Sequence, residues 1–239
     1  MKKTKKFIVF VFWILVWQAL YMAIGKDIIF ASPVGTLKVM INLITTAEFY
    51  KIIGLSFIRT AAGFFAGALT GIFLGSISVF NNTVKSFINP FIDIVRAAPV
   101  ASFIILALIW IKTGFIPVFI SFLTVVPIVW SSILTGAESV DIKLLEMAQV
   151  FEYPFTVKLK KIYVPAVKPY LKAAAVTGVG FAFKSGIAAE IIASPVFSIG
   201  RKLQESRIYF ETAELFAWTA VVIILSMIFE KLLVKVVGR

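Results

Sequence analysis

The stretch Thr113–Ala137, TGFIPVFISFLTVVPIVWSSILTGA, contains 25 residues without one charged side chain. A transmembrane helix needs about 20 mainly apolar residues, so this stretch predicts a span despite Pro117 and Pro127. The whole chain shares its character, because 60% of the 239 residues are hydrophobic and 15% are charged. Soluble domains average about 45–50% apolar and about 25% charged residues. The sequence therefore predicts an integral membrane protein.

Five further apolar stretches predict an all-α protein with six transmembrane helices. The third span has to begin near Phe87 and contain Asp93 and Arg96, because the uncharged residues 97–111 alone are too few to cross a bilayer. Residues 36–53 have mixed polarity and predict an extramembrane or interfacial helix. The predicted spans of this single membrane domain, 1–239, are 7–25, 56–80, 87–111, 113–137, 173–194 and 212–234.

The net charge is +12, which in a soluble protein would suggest nucleic-acid binding. In membrane proteins, however, basic residues concentrate in cytoplasmic loops. With the N-terminus inside, 14 Lys and Arg residues fall on the inner side and 7 on the outer side. This count predicts cytoplasmic termini and a cytoplasmic loop over residues 138–172, and no nucleic-acid partner. The inner set is Lys2, Lys3, Lys5, Lys6, Lys85, Lys143, Lys158, Lys160, Lys161, Lys168, Lys172, Lys231, Lys235 and Arg239.

The chain contains neither cysteine nor histidine. The absence of cysteine excludes disulfides, thiolate metal sites and a cysteine nucleophile. The absence of histidine removes the most frequent general base and metal ligand. The sequence also lacks a G-x-x-x-x-G-K-S/T phosphate loop. We therefore expect no catalytic residues, metal or cofactor, and an energy source outside this chain.

Small residues recur at every fourth position in two predicted spans, which predicts close helix packing. The alternative is that these faces slide against their neighbours during transport. The residues are Gly63, Gly67, Gly71 and Gly75 in the second span, and Ala174, Gly178, Ala182 and Gly186 in the fifth.

Charged residues also lie inside predicted spans, and four of them, Asp93, Arg96, Lys184 and Glu190, are candidates for lining a solute path. A charge at the bilayer centre costs about 2.5–3.5 kcal/mol, so such residues face protein or water. Asp93 and Arg96 are three positions apart and are expected to neutralise each other on one helix face. Lys184 and Glu190 are too far apart around a helix to pair. Inter-helix ion pairs and snorkelling to the interface are the structural alternatives.

The longest polar stretch contains VDIKLLEMAQVFEYPFTVKLKKIYVP, residues 140–165. Leu144, Leu145, Ala148 and Phe151 recur at helical spacing and predict an amphipathic helix. Pro154 then favours a turn before a second short helix. A helical hairpin that carries an apolar face outside the membrane needs a partner.

This loop resembles the EAA signature of permease subunits of bacterial ATP-binding-cassette (ABC) importers, E-A-A-x3-G-x9-I-x-L-P. The matching positions are Glu146, Ala148, Ile162 and Pro165, while Met147, Glu152 and Val164 replace Ala, Gly and Leu. The replaced Gly would permit the turn between the two short helices.

Other short motifs resemble the branch of that family that imports nitrate, taurine, alkanesulfonates and vitamin precursors. They are S-x-x-R-x-x-x-G at 56–63, PFID at 90–93, RAAP at 96–99 and AAE at 188–190. A Trp commonly precedes Ala-Ala-Glu in this branch, and here Phe183 and Lys184 occupy that region.

The resemblance implies a type I ABC importer permease in the bacterial cytoplasmic membrane. It implies a homodimer that works with a cytoplasmic ATP-binding subunit and an extracytoplasmic substrate-binding protein. The loop would be the coupling helix, with Ala148 small enough for close approach to the ATPase, and the solute a small anion, sulfonate or vitamin precursor. A self-sufficient secondary carrier and a non-transporting membrane scaffold are the alternatives. The implied coupling residues are Glu146, Met147, Ala148, Phe151, Glu152, Ile162 and Pro165.

Overall fold

The protein folds as a bundle of helices. The structure, a computed structural model, describes the backbone of residues 2–237 and the side chains of residues 5 and 7–235. Arg239, counted above among the inner cations, lies outside the described residues. The helices are α1 Lys2–Ile24, α2 Pro33–Ile44, α3 Ala47–Phe80, α4 Asn82–Ala97, α5 Val100–Trp110, α6 Ile116–Glu138, α7 Ile142–Val150, α8 Phe155–Lys158, a π-helical segment Leu159–Tyr163, α9 Val164–Ala193, α10 Ile199–Ile208 and α11 Thr212–Val237.

Among the described residues, five helices are long and apolar enough to cross a membrane, and six spans result if α4 and α5 form one broken span. We call the side of the bundle with α7 and α8 the hairpin end, and the opposite side the α10 end. The all-α membrane fold agrees with the sequence prediction.

The predicted third span, 87–111, is wrong as a single helix. α4 and α5 meet at an angle of 105°. Ala98 leaves the helical region, with φ −78° and ψ 139°, because a following proline disfavours the α conformation of the residue before it. Pro99 therefore divides this part of the chain into two arms.

The helices that contain the second and fifth predicted spans are longer than those spans. Residues 36–53 do not form one helix, because α2 ends at Ile44 and α3 begins at Ala47, where the Thr46 side chain caps it. α3 has 34 residues, about 50 Å at 1.5 Å per residue, which exceeds the bilayer core of about 30 Å. The predicted loop 138–172 likewise ends early, because α9 starts at Val164 and continues through Pro169.

The core consists of α3, α6 and α9, and the glycine stripe of α3 lies against α6. A methyl group added at Gly67 would lie 2.8 Å from the carbonyl oxygen of Phe122, and one at Gly71 would lie 2.8 Å from Cβ of Val129. The backbones thus approach as closely as glycine allows. Gly63 and Gly75 continue this contact along α6, and Gly178 and Gly186 of α9 face Phe64 and Ser121.

Candidate functional site

The α7–α8 hairpin, residues 142–163, is held in shape by backbone hydrogen bonds. Asp141 caps the start of α7 by accepting from the Lys143 amide at 2.9 Å. At its other end, the Tyr153 amide donates to the Ala148 carbonyl at 2.9 Å and the Glu152 amide donates to Gln149 at 3.0 Å. This pair of bonds is the Schellman arrangement that ends a helix with one left-handed residue.

Glu152 is that left-handed residue, with φ 50°. It stands where the EAA signature has glycine, and the chain makes the turn with a residue that has a Cβ. A left-handed conformation costs a non-glycine residue about 1 kcal/mol or more. The hairpin therefore retains its turn at the expense of local backbone strain.

The apolar residues of α7 divide into an inner and an outer set. Ala148 is 0% exposed, and Leu145 is half-buried. Val150 is 79% exposed and Phe151 is 66% exposed. The prediction that Ala148 contacts a partner is therefore wrong for this conformation, because the subunit itself covers this methyl group. We call the exposed set Ile142, Leu144, Met147, Val150 and Phe151 the outer face of α7.

The hairpin is attached to the core by aromatic and backbone contacts. The Phe80 ring at the end of α3 lies 5.0 Å from the Phe155 ring and 5.1 Å from the Tyr163 ring, both edge-to-face. The π-helical segment that follows α8 buries Ile162. It runs directly into α9, whose second residue is Pro165, so α8, the π-helical segment and α9 form one continuous helical run, Phe155–Ala193, of 39 residues. Glu146 remains exposed on α7.

A second group of residues, the Glu190 cluster, lies at the α10 end. Glu190 of α9 is 0% exposed. Its Oε2 accepts hydrogen bonds from Ser56 Oγ at 2.8 Å and from the Gly200 amide at 3.1 Å. Its Oε1 lies 3.5 Å from Arg59 Nη1. Oε2 therefore accepts two hydrogen bonds, whereas Oε1 is paired with Arg59 by charge and has no hydrogen-bond partner among the described residues.

The Glu190 cluster caps the first turn of α10. The Ile199 amide donates to Ser56 Oγ at 3.0 Å, the Gly200 amide donates to Glu190, and the Arg201 amide donates to Ser198 Oγ at 3.1 Å. The first amides of a helix have no partner within it, and its N-terminus favours a negative charge. The side chains of α3 and α9 thus hold α10 in place.

Arg59 clamps the turn between α9 and α10. Its guanidinium donates to the carbonyl oxygens of Val196 at 3.1 Å and Phe197 at 3.2 Å. Phe197 has φ 50°, and Lys51 Nζ lies 3.7 Å from the centre of its ring. The strained turn is therefore fixed from α3 at two points.

Gly200 allows α10 to touch the backbone of α9. A Cβ at this position would collide with Cβ of Glu190 and with the Ile191 amide nitrogen. The sequence motifs at 56–63 and 188–190 contained Ser56, Arg59 and Glu190, but only the structure brings them together. No pattern in the sequence singled out Ser198 or Gly200.

The predicted pathway residues do not form one group. Asp93 accepts from Asn89 Nδ2 at 3.0 Å, whereas Arg96 donates to the Pro127 carbonyl at 3.1 Å and to Ser131 Oγ at 2.5 Å. The predicted pairing of Asp93 with Arg96 is wrong, because each has a better placed partner. Because Glu190 is buried within the subunit, this structure does not support its predicted place on a solute path.

Lys184 lies on an outward side of α9, which we call the open face of α9: Ala173, Thr177, Gly180, Phe181 and Lys184. No atom lies within 4 Å of the position of a Cβ at Gly180, apart from its own neighbours. Packing within the subunit therefore does not require glycine there. A face with a cation, a hydroxyl and small side chains is poorly suited to lipid.

Comparison with known proteins decides the family. The family model described as "Binding-protein-dependent transport system inner membrane component" matches residues 67–239. The chain belongs to this family. It is an ABC importer permease and a non-catalytic transport component, and the family implies an ATP-binding subunit and a substrate-binding protein.

Individual relatives agree with this assignment. The permease is 24% identical to a protein named as an aliphatic sulfonates transport permease of Bacillus subtilis, covering 85% of this chain and 74% of that protein. It is 25% identical to the taurine transport system permease of Escherichia coli, covering 77% and 67% respectively. A crystal structure of an amino acid ABC transporter matches with a TM-score of 0.60 at 18% identity, covering 77% of this chain and 90% of that one. That structural match supports the fold.

We expect Glu152→Gly to stabilise the permease by about 1 kcal/mol, because glycine adopts positive φ without the Cβ penalty. Glu146→Gly is the matched control, since it places glycine inside α7, where it costs about 1 kcal/mol. Thermal unfolding in detergent measures both. Equal shifts of the two variants in the same direction would contradict the left-handed conformation of Glu152.

We expect Glu190→Leu to destabilise the permease by about 3 kcal/mol, because it leaves Arg59 and the α10 amides without their buried acceptor. Glu190→Gln retains one acceptor oxygen and should therefore lower the free energy of unfolding by less. The same change at an exposed ion pair, Glu205→Gln, should cost about 0–1 kcal/mol. Unfolding temperature and tryptic cleavage after Arg201 report the two effects. An uncut, fully stable Glu190→Leu protein would show that the cluster does not hold α10.

Proposed function

We propose that this permease forms a solute pathway as a homodimer in the bacterial cytoplasmic membrane and is driven by a cytoplasmic ATPase bound to the α7–α8 hairpin. The observation that carries this proposal is the outer face of α7. It presents five apolar side chains at the hairpin end of the bundle, on a helix whose other side is packed against the subunit. Such a face favours a protein partner.

The charge distribution supports a cytoplasmic position for the hairpin. Lys143, Lys158, Lys160 and Lys161 all lie within or beside it, and basic loops remain inside. The residues at the EAA positions then divide by exposure. Glu146 and Met147 are exposed, whereas Ala148 and Ile162 are buried.

The hairpin is connected to the opposite side of the membrane through α9. The helical run Phe155–Ala193 has 39 residues, and Glu190 near its end holds the start of α10. A tilt imposed on the hairpin would therefore move both ends of α9 and carry α10 with it. We propose that this linkage gives alternating access, while the glycine contact between α3 and α6 keeps those two helices together.

The open face of α9 is our candidate for the pathway side of the dimer interface. In a twofold homodimer the same face of both copies meets around one axis, so Gly180 permits close approach and Lys184 faces its symmetry copy or water. Two such cations would favour a small anion. The aliphatic sulfonates named for one relative are anions, and taurine, named for another, contains an anionic sulfonate group.

We expect Val150→Asp to weaken co-purification of the ATPase at least tenfold, because an unpaired carboxylate buried in an apolar interface costs about 2 kcal/mol or more. Gln149→Asp is the matched control, since it adds the same charge to the neighbouring exposed position outside the outer face of α7. ATPase stoichiometry and ATP-driven solute uptake measure the effect. If Val150→Asp binds and couples like the control, the hairpin is not the docking site.

The absence of native cysteine makes labelling of the pathway direct. We expect Lys184→Cys to react with a water-soluble thiol reagent in at least one nucleotide state. Ser185→Cys, one position along the same helix but buried, should not react. If Lys184→Cys reacts in none of the nucleotide states, this residue does not line an aqueous pathway.

A further inference from the structure

A cleft of about 240 Å³ lies at the hairpin end between α3 and α9, with α6 as its floor. Ile72 and Val79 form one wall, Val167 and Leu171 the other, and Ile133 lies at the bottom. Its mouth is on the outside of the subunit, because Ser76, Phe80, Val164 and Lys168 on its rim are exposed.

The cleft results from the way α6 separates the other two helices. Gly75 brings α3 against Ile133 of α6, at 3.0 Å from an added Cβ to Cβ. Gly136 brings α9 against α6, since an added Cβ there would lie 2.9 Å from Cα of Val167. α3 and α9 thus both pack closely against α6. The branched side chains of α3 and α9 line the space that remains between these two helices.

The rim of the cleft is positively charged. Lys168 lines it, and Lys172 lies one turn further along the same face of α9. Among the described residues, no carboxylate lies within 4.0 Å of either ammonium group. Ser76 and Tyr163 add hydroxyl groups to the lining, and no Asp or Glu lines it. The uncharged part of the fifth span begins at Ala173, so both lysines lie at the level of the lipid headgroups.

We propose that this cleft binds one acyl chain of an anionic phospholipid, with the headgroup phosphate held by Lys168 and Lys172. An apolar slot beneath unpaired cations at the membrane interface matches the two parts of such a lipid. A volume of about 240 Å³ is below the roughly 300–1,000 Å³ of pockets that enclose a whole small ligand. It suits part of a chain whose remainder stays in the bilayer.

The cleft is separate from the proposed pathway. Lys168 and Lys184 are 16 positions apart, which places them about 160° apart around α9 at 100° per residue. The cleft therefore opens away from the open face of α9 and toward the surrounding lipid. Leu159 and Tyr163 of the hairpin also line it, so an occupant would touch the hairpin and two spans together.

Native mass spectrometry of the delipidated, purified full-length permease tests this proposal with phosphatidylglycerol and phosphatidylethanolamine of identical chains. We expect the wild-type protein to bind phosphatidylglycerol more tightly. Lys168→Gln and Lys172→Gln should each weaken that binding about fivefold, since each cation near a membrane surface contributes by about this factor. They should weaken phosphatidylethanolamine binding less, because the ammonium group of that lipid offsets the charge of its phosphate. Lys143→Gln, which removes a cation from the exposed hairpin, is the matched control.

A second variant tests the acyl slot independently of charge. Ala137→Phe fills the floor of the cleft and should weaken binding of both lipids equally, whereas the lysine variants should weaken binding of the anionic lipid more. Equal binding of the two lipids by the wild-type protein would overturn the proposal. The proposal would also be overturned if the Lys168→Gln and Lys172→Gln proteins bound phosphatidylglycerol as tightly as the Lys143→Gln protein does.

Discussion

The contact between α3 and α6 is the constraint on which the rest of the bundle depends. Lipid chains are as apolar as the side chains that they would replace, so helices in a bilayer associate by close packing and hydrogen bonds rather than by the hydrophobic effect. Four glycines in register allow backbone-to-backbone approach. With α3 fixed to α6, α9 packs across both, and Ser56 and Arg59 of α3 come within reach of Glu190. The glycine contact at mid-bundle thus positions the polar cluster at the α10 end.

The two ends of the bundle differ in how the backbone groups at their helix ends are hydrogen-bonded. At the α10 end, a buried carboxylate satisfies the amides of a short helix and is balanced by Arg59. At the hairpin end, the carbonyl groups at the end of α7 accept hydrogen bonds within a Schellman turn. The apolar side chains of the outer face of α7 remain exposed. The polar groups at the α10 end are held within the subunit, whereas the hairpin end presents the apolar outer face of α7. This difference supports the proposal that the subunit is driven from the hairpin end.

Much of the fold follows from the sequence, because lipid imposes a minimum length of apolar chain. What hydropathy misses is the part of a helix outside the lipid: α3 extends back to Ala47 because Phe49 and Ile52 pack with Leu203 and Trp218. A proline in the sequence does not by itself show where a helix ends. Pro127 and Pro169 lie inside intact helices, whereas Pro99 separates α4 from α5. The spacing of Asp93 and Arg96 predicted an ion pair within α4, but α6 offers Arg96 a carbonyl and a hydroxyl. Partners that belong to other helices are not visible in local spacing.

The bend at Pro99 has a consequence for the permeability barrier. Arg96 donates to the carbonyl oxygen of Pro127, which lies midway along α6, so the bend lies level with the middle of that helix. There the carbonyls of α4 after Ile94 have no following helical turn whose amides would donate to them, and hydrocarbon offers no donor. Within a bilayer, water or another polar surface therefore has to reach these peptide groups.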